Sequence, residues 1–157
     1  MNKVAQWSDQ LSLGIPEIDH QHQGLLEVIN ELWDVIVARA DAERVAAILE
    51  KLERYTQAHF TAEEALMRVE DYPKFRDHRS EHKEFINFVA SAKAKLKSGE
   101  FLGLDLLRFL TDWLVKHIRG GDKDYAKWIA DRRRPKSIFA RFFSAFQGKD
   151  ARASAGH

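Results

Sequence analysis

The 157-residue chain has no cysteine, which excludes disulfide frameworks, thiolate zinc sites, iron–sulfur clusters, covalent haem attachment and thiol nucleophiles together. It also lacks any run of 18 or more apolar residues, so no segment reads as a membrane-spanning helix. The stretch Met1–Trp7 has no apolar signal-peptide core, and the expected compartment is the cytoplasm. Charge of one sign is not in excess: 25 Lys+Arg face 24 Asp+Glu, and a net of +1 argues against a nucleic-acid partner. No internal repeat is present, and no stretch alternates with period two, so no sheet is expected.

The chain does contain apolar residues at three- and four-residue spacings through four segments, each reading as a helix with one buried stripe. The first carries Ile18, Leu25, Leu26, Ile29, Leu32, Trp33 and Ile36; the second carries Val45, Ile48, Leu49, Leu52, Tyr55, Leu66 and Met67. The third carries Phe75, Phe85, Val89, Ala92 and Leu96; the fourth carries Leu102, Leu106, Phe109, Leu110, Trp113, Leu114 and Ile118. Asp41 suits an N-cap, Tyr72-Pro73 a break, and Ser98-Gly99 with Gly103 a reversal. Short connections make successive helices antiparallel, so the expected fold is all-α, an up-down-up-down four-helix bundle. An N-terminal arm, residues 1–17, precedes it, and Gly14 and Pro16 argue against an earlier helix start.

Five of the seven histidines fall on or beside these stripes. His59 and Glu63 are four apart, within about 40° on one helix face. His78 and His82 repeat that spacing in line with Phe75, Phe85 and Val89. His22 lies one turn before Leu25 and Leu26, and His117 continues the stripe of Leu110, Trp113 and Leu114. Any one of these could be an ordinary core histidine. Together they would leave five imidazoles and a carboxylate each seeking a separate buried partner, at about 1–3 kcal/mol for every one unpaired. A metal site removes that cost.

Asp122 follows His117 by five residues, about 140° around a regular helix. Gly120 and Gly121 lie between them and permit a π-type turn that swings Asp122 inward, after which Tyr125, Trp128 and Ile129 resume the apolar pattern. Seven donors are too many for one ion and suit two. If Glu63 and Asp122 bridge, His78, His82 and His117 share one metal, leaving His22 and His59 on the other, which keeps an open position. Nitrogen-rich donors favour iron, zinc or copper over magnesium or calcium. A ferritin-like carboxylate site does not fit: its Glu-x-x-His pattern is met only by Glu17-Ile18-Asp19-His20 at the frayed helix start, and Arg79-Ser80-Glu81-His82 fails the spacing.

This pattern of His22, His59-Phe60-Thr61-Ala62-Glu63-Glu64, His78-x-x-x-His82 and His117-Ile118-Arg119-Gly120-Gly121-Asp122 resembles the hemerythrin family. Its flanks agree, with Trp7, Gly14-Ile15 and Ile18-Asp19 ahead of His22 and Trp113-Leu114-Val115 ahead of His117. The resemblance covers about residues 7–131 and implies two iron ions, oxo- or hydroxo-bridged, that bind O₂ reversibly for storage or delivery. It implies no enzyme activity, and it places Leu25, Phe60, Trp113 and Leu114 in the wall of an O₂ pocket that excludes water. An O₂ or redox sensor, or a di-iron enzyme acting on peroxide or nitric oxide, are the alternatives. His20 is expected near the surface, and Glu64 is expected to face solvent.

The neutral total hides an uneven distribution. Residues 1–131 hold 18 basic and 23 acidic residues, whereas residues 132–157 hold seven basic residues and only Asp150. The chain therefore divides into a bundle domain, 1–131, and a basic extension, 132–157. In the extension Ile138, Phe139, Phe142, Phe143 and Phe146 share one face of a short helix capped by Ser137. Through residues 132–147 it suits a membrane surface, a protein partner, or packing back on its own bundle. A monomer is expected.

Overall fold

The computed structural model describes residues 4–133. A 3₁₀ turn, Asp9–Leu11, leads into α1 (Pro16–Val37), α2 (Ala42–Val69), α3 (Phe75–Lys97) and α4 (Leu104–His117). A π-helical turn, Ile118–Asp122, joins α4 directly to α5 (Lys123–Arg133). The described residues contain no strand, and the four antiparallel rods close a ring in which α1 and α3 each pack on α2 and α4. The bundle expected from periodicity is thus present, with its fourth rod bent by the π turn. None of the described helices is long and apolar enough to cross a membrane.

Local chemistry sets the ends. Asp41 Oδ1 accepts from Arg44 N at 2.8 Å and caps α2 as expected. Gly99 takes φ 86° after α3, and Glu100 N reaches back to Lys95 O at 3.0 Å, closing that helix. One expectation needs adjusting: Pro16 lies inside α1 as its first residue, not in the arm. Proline suits that position, where its missing N–H has no helical partner to lose.

The arm is tied to α1. Asn30 Oδ1 accepts from Val4 N and Ala5 N at 2.9 and 3.1 Å, and Asn30 Nδ2 donates to Ala5 O at 2.8 Å. Asp19 accepts from Leu13 N at 2.7 Å and Ser12 Oγ at 2.6 Å, around Gly14 at φ 73°. At the other end α5 runs to Arg133, so the basic run begins inside a helix, where Arg133 pairs with Glu70 and Trp128 Nε1 donates to Glu70 O at 3.0 Å. The helix expected around Phe139 to Phe146 lies outside the described residues.

Two apolar clusters flank one polar layer. The larger includes Leu25, Ile29, Leu32, Leu49, Leu52, Phe60, Phe85, Leu110 and Leu114; the smaller holds Met67, Tyr72, Tyr125, Ala126 and Ile129. Along α2 the order Leu52, His59, Glu63, Met67 passes from one cluster through the polar layer to the other.

Candidate metal centre

Every rod contributes to that layer. His22 comes from α1, His59 and Glu63 from α2, His78 and His82 from α3, His117 from the end of α4, and Asp122 from the π turn. All seven are buried, at 0–3% exposure. All seven expected donors are therefore brought together. They form two overlapping groups of potential ligands: Glu63, His78, His82, His117 and Asp122 in one, and His22, His59 and Glu63 in the other. His20, by contrast, is exposed.

The π turn makes the convergence possible. It places Asp122 Oδ1 at 3.1 Å from His117 Nε2 and 3.2 Å from His78 Nε2, while Oδ2 lies 3.1 Å from His22 Nε2. Asp122 thus divides its two oxygens between the two histidine groups. Gly121 sits in close approach: a Cβ there would be 3.0 Å from His78 Nδ1 and 3.3 Å from Glu81 Oε2, so both side chains would have to give way. Gly120 faces open space, so no close approach restricts that position.

Glu63 is less evenly divided. Its Oε2 lies 3.3 Å from His82 Nε2, 3.5 Å from His59 Nε2 and 3.9 Å from His78 Nε2, and its Oε1 lies 3.8 Å from His22 Nε2. Tyr125 donates its O–H to Oε1 at 2.6 Å. Burial and the nearby Glu63 carboxylate push the Tyr125 phenol well above its ordinary value, so it stays a donor.

The donor chemistry fits metal ions. The carboxylates accept, so His117 Nδ1–H donates to Glu81 Oε2 at 2.7 Å and His82 Nδ1–H to Glu64 Oε1 at 3.2 Å. His59 Nδ1–H likewise donates to Gln21 Oε1 at 2.9 Å. With the Nδ1 atoms of both rings engaged outward, the Nε2 atoms of His82 and His117 face each other at 3.1 Å, a contact that needs a proton or a metal cation between the two nitrogens. Buried atoms without any hydrogen-bond partner include His22 Nε2, His59 Nε2, His78 Nε2, Glu63 Oε2 and both oxygens of Asp122. Two ligand atoms about 2.1 Å from one ion at right angles lie roughly 3.0 Å apart, close to the shortest separations here.

Charge makes the same point. Burial and Asp122 oppose ionisation of Glu63, but the imidazoles of His59, His78 and His82 outweigh them and bring its carboxyl down to about 2. Burial likewise opposes ionisation of Asp122, and His117, His22 and His78 overcome it, holding it well below the ordinary carboxylate range. Two buried anions demand cations at the same place. Burial pushes His59 down to about 4, whereas at His117 it is overcome by Asp122 and Glu81, which raise the imidazole to about 10.

Aromatic rings cover the larger group. Phe60 stacks on His82 with centroids 3.7 Å apart and 5° between planes, and Trp113 stacks on His117 at 4.5 Å and 16°. Leu25 and Leu114 are buried in the same apolar cluster as Phe60, while Trp113 is partly exposed at its edge. Trp113 and His117 also line a surface hollow of about 360 Å³ with Glu81, Glu84 and Lys116.

Four supporting residues were not found from the sequence: Gln21, Glu64, Glu81 and Tyr125. Glu64 corrects a stated expectation. It is 19% exposed and turns toward α3, where it holds His82 and accepts from Arg79 Nε at 3.2 Å. Glu81 is 49% exposed, and nothing in its spacing separates it from a solvated glutamate. Adjacency to His22 and Glu63 was the available signal for Gln21 and Glu64.

Comparison with known proteins agrees with this geometry. Residues 13–129 match the family model described as the hemerythrin HHE cation binding domain. The chain is 37% identical over 125 residues to a bacteriohemerythrin of Stenotrophomonas maltophilia, covering 78% of this chain and 80% of that protein. It is 28% identical over 120 residues to a myohemerythrin of Theromyzon tessulatum, covering 76% and 89%. Among solved structures, a wild-type hemerythrin superposes with a TM-score of 0.75 at 29% identity, over 80% of this chain and 98% of that one. A buried layer of five histidines and two carboxylates in a four-helix bundle, matched over most of its length by these proteins, shows that the chain belongs to the hemerythrin family.

Proposed function

We propose that residues 1–131 form an O₂-binding domain whose cofactor is a di-iron centre, and that it binds and releases O₂ for storage or delivery without turning over a substrate. The observation that carries this reading is the convergence of five imidazoles and two carboxylates in one fully buried layer, with unsatisfied atoms facing each other. His78, His82 and His117 would hold one iron and His22 and His59 the other, with Glu63 and Asp122 as bridges. Two irons held by these residues would supply the electrons that O₂ binding needs.

The chain's own residues supply orientation and exclusion. Glu81, Glu64 and Gln21 fix the protons of His117, His82 and His59 on Nδ1 and so aim Nε2 inward. Tyr125 holds Glu63 Oε1 on the His22 side. Leu25, Phe60, Trp113 and Leu114 offer no group that could deliver or remove a proton. Such a wall keeps water from the irons, which favours reversible binding over chemistry. Residues 132–157, of which Arg132 and Arg133 close α5, are given no part in O₂ binding under this reading.

Iron analysis tests it. Full-length protein expressed in iron-replete cells is expected to hold two irons per chain and to lose both when Asp122 is replaced by Ala. A preparation loaded with zinc alone would contradict it.

A further inference from the structure

The seven donors are nearly symmetric in type, but what lies behind them is not. Behind the group of His78, His82 and His117 stand two carboxylates, Glu64 on His82 Nδ1 and Glu81 on His117 Nδ1, at 3.2 and 2.7 Å. Behind His22 and His59 stands a neutral amide, Gln21, on His59 Nδ1 at 2.9 Å. Each group keeps one histidine without a partner on Nδ1, His78 in the larger and His22 in the smaller. Beside the count of three histidines against two, the outer partners therefore differ as two carboxylates against one amide.

A carboxylate behind Nδ1–H draws the proton toward itself and makes Nε2 a stronger donor; an amide oxygen fixes the tautomer with little added charge. Glu64 shares its charge with Arg79, whose Nε lies 3.2 Å away, so Glu81, with the shorter bond, exerts the larger effect. Gly121 leaves Glu81 uncrowded here, since a Cβ there would come within 3.3 Å of its Oε2.

We propose that Glu81, assisted by Glu64, is a positioning residue that widens the inequality of the two metal positions beyond their count of histidines: the three-histidine position fills first and releases last, and the Gln21-backed two-histidine position is the exchangeable one. The inference rests on the ligand assignment above, and it extends that assignment to the residues that set the order of filling.

Zinc titration of metal-stripped full-length protein, followed by the imidazole ¹H–¹⁵N NMR signals, tests it, because Zn²⁺ is diamagnetic and prefers the same nitrogen donors. The first equivalent is expected to shift His78, His82 and His117, and the second His22 and His59. Glu81→Gln keeps an acceptor for Nδ1–H while removing the charge, and is expected to weaken the first step roughly 10-fold. Gln21→Glu is expected to tighten the second step by a similar factor, a gain that a merely structural role would not produce. The double variant is expected to bring the two steps together. Simultaneous filling in the wild type, filling of His22 and His59 first, or unchanged affinities in both variants would overturn the inference. A wild type that takes up fewer than two Zn²⁺, or that shifts none of these five histidines, would instead overturn the ligand assignment itself.

Discussion

Replacing Tyr125 with Phe removes a single oxygen from the most deeply buried hydrogen bond to the centre. The Tyr125 side chain is fully buried, and its O–H is 2.6 Å from Glu63 Oε1, which is itself fully buried. Phenylalanine fills nearly the same volume, so the loss is almost wholly the hydrogen bond. Bonds to charged groups contribute about 1.5–3 kcal/mol, and the carboxylate oxygen left behind has no water to turn to. For a chain of this size each kcal/mol moves the midpoint by about 2–4 °C, which predicts a fall of roughly 3–12 °C. Thermal and urea unfolding of wild type and Tyr125→Phe, both with metal and after chelation, measure the midpoint and the free energy. The m-value is expected to be unchanged, because no further surface is exposed. A stability change below about 0.5 kcal/mol in both states would refute the idea that Tyr125 holds Glu63 in place. The same bond gives a pH signature. Because burial and Glu63 raise the Tyr125 phenol above its unfolded value of 10.0, its contribution is complete below pH 10 and is lost as the pH rises further.

His59→Ala removes one of two histidines proposed for the open metal and is expected to lower iron content from two to one per chain, with O₂ binding abolished; normal binding would refute the assignment. Leu114→Ala is expected to cost about 2–5 kcal/mol through the cavity it leaves. It is expected to retain both irons yet oxidise faster in air, because water gains entry; an unchanged oxidation rate would count against the proposed wall. Gly121→Ala forces a Cβ to 3.0 Å from His78 Nδ1 and is expected to destabilise the protein by about 1–3 kcal/mol and speed metal release. Chelator-driven loss measured by stopped flow checks it, and rates equal to wild type would show that His78 can move aside freely. Finally, Glu63 is depressed to about 2 from an ordinary value of 4.5, and Asp122 is depressed too. Their contribution is complete above about pH 5 and is lost as pH falls toward 2, so chelated protein is expected to lose urea resistance across that window. A flat profile would contradict the burial of two ionised carboxylates.

Much of this was legible in the sequence because helices repeat and buried polar groups do not belong on apolar stripes. The four rods followed from spacing alone, and His22, His59, Glu63, His78, His82 and His117 stood out as polar residues on buried faces. Even the π turn could be read, from an aspartate one residue too far along and two glycines to permit the distortion. The supporting hydrogen bonds could not be read in the same way. Glu81 meets His117 across 36 positions of chain, and its half-exposed carboxylate occupies the kind of position that solvated glutamates fill. Glu64 reads as solvated because its neighbour Glu63 points inward; on α2 a 100° turn faces α3, where His82 and Arg79 lie. Tyr125 read as one more apolar residue on a stripe, since its ring packs and only its oxygen reaches Glu63. Gly24 carried no sequence signal at all, though a Cβ there would lie 2.0 Å from the Tyr55 hydroxyl.

The central claim is that these seven side chains hold two irons that bind O₂ reversibly. Iron content combined with optical spectra of the full-length protein, recorded without O₂, then in air, then after O₂ is removed, tests it most directly. Two irons per chain and a visible band that appears in air and disappears on deoxygenation are the expected result. A band that never reverses, or no spectral response to O₂ in protein holding two irons, would contradict it.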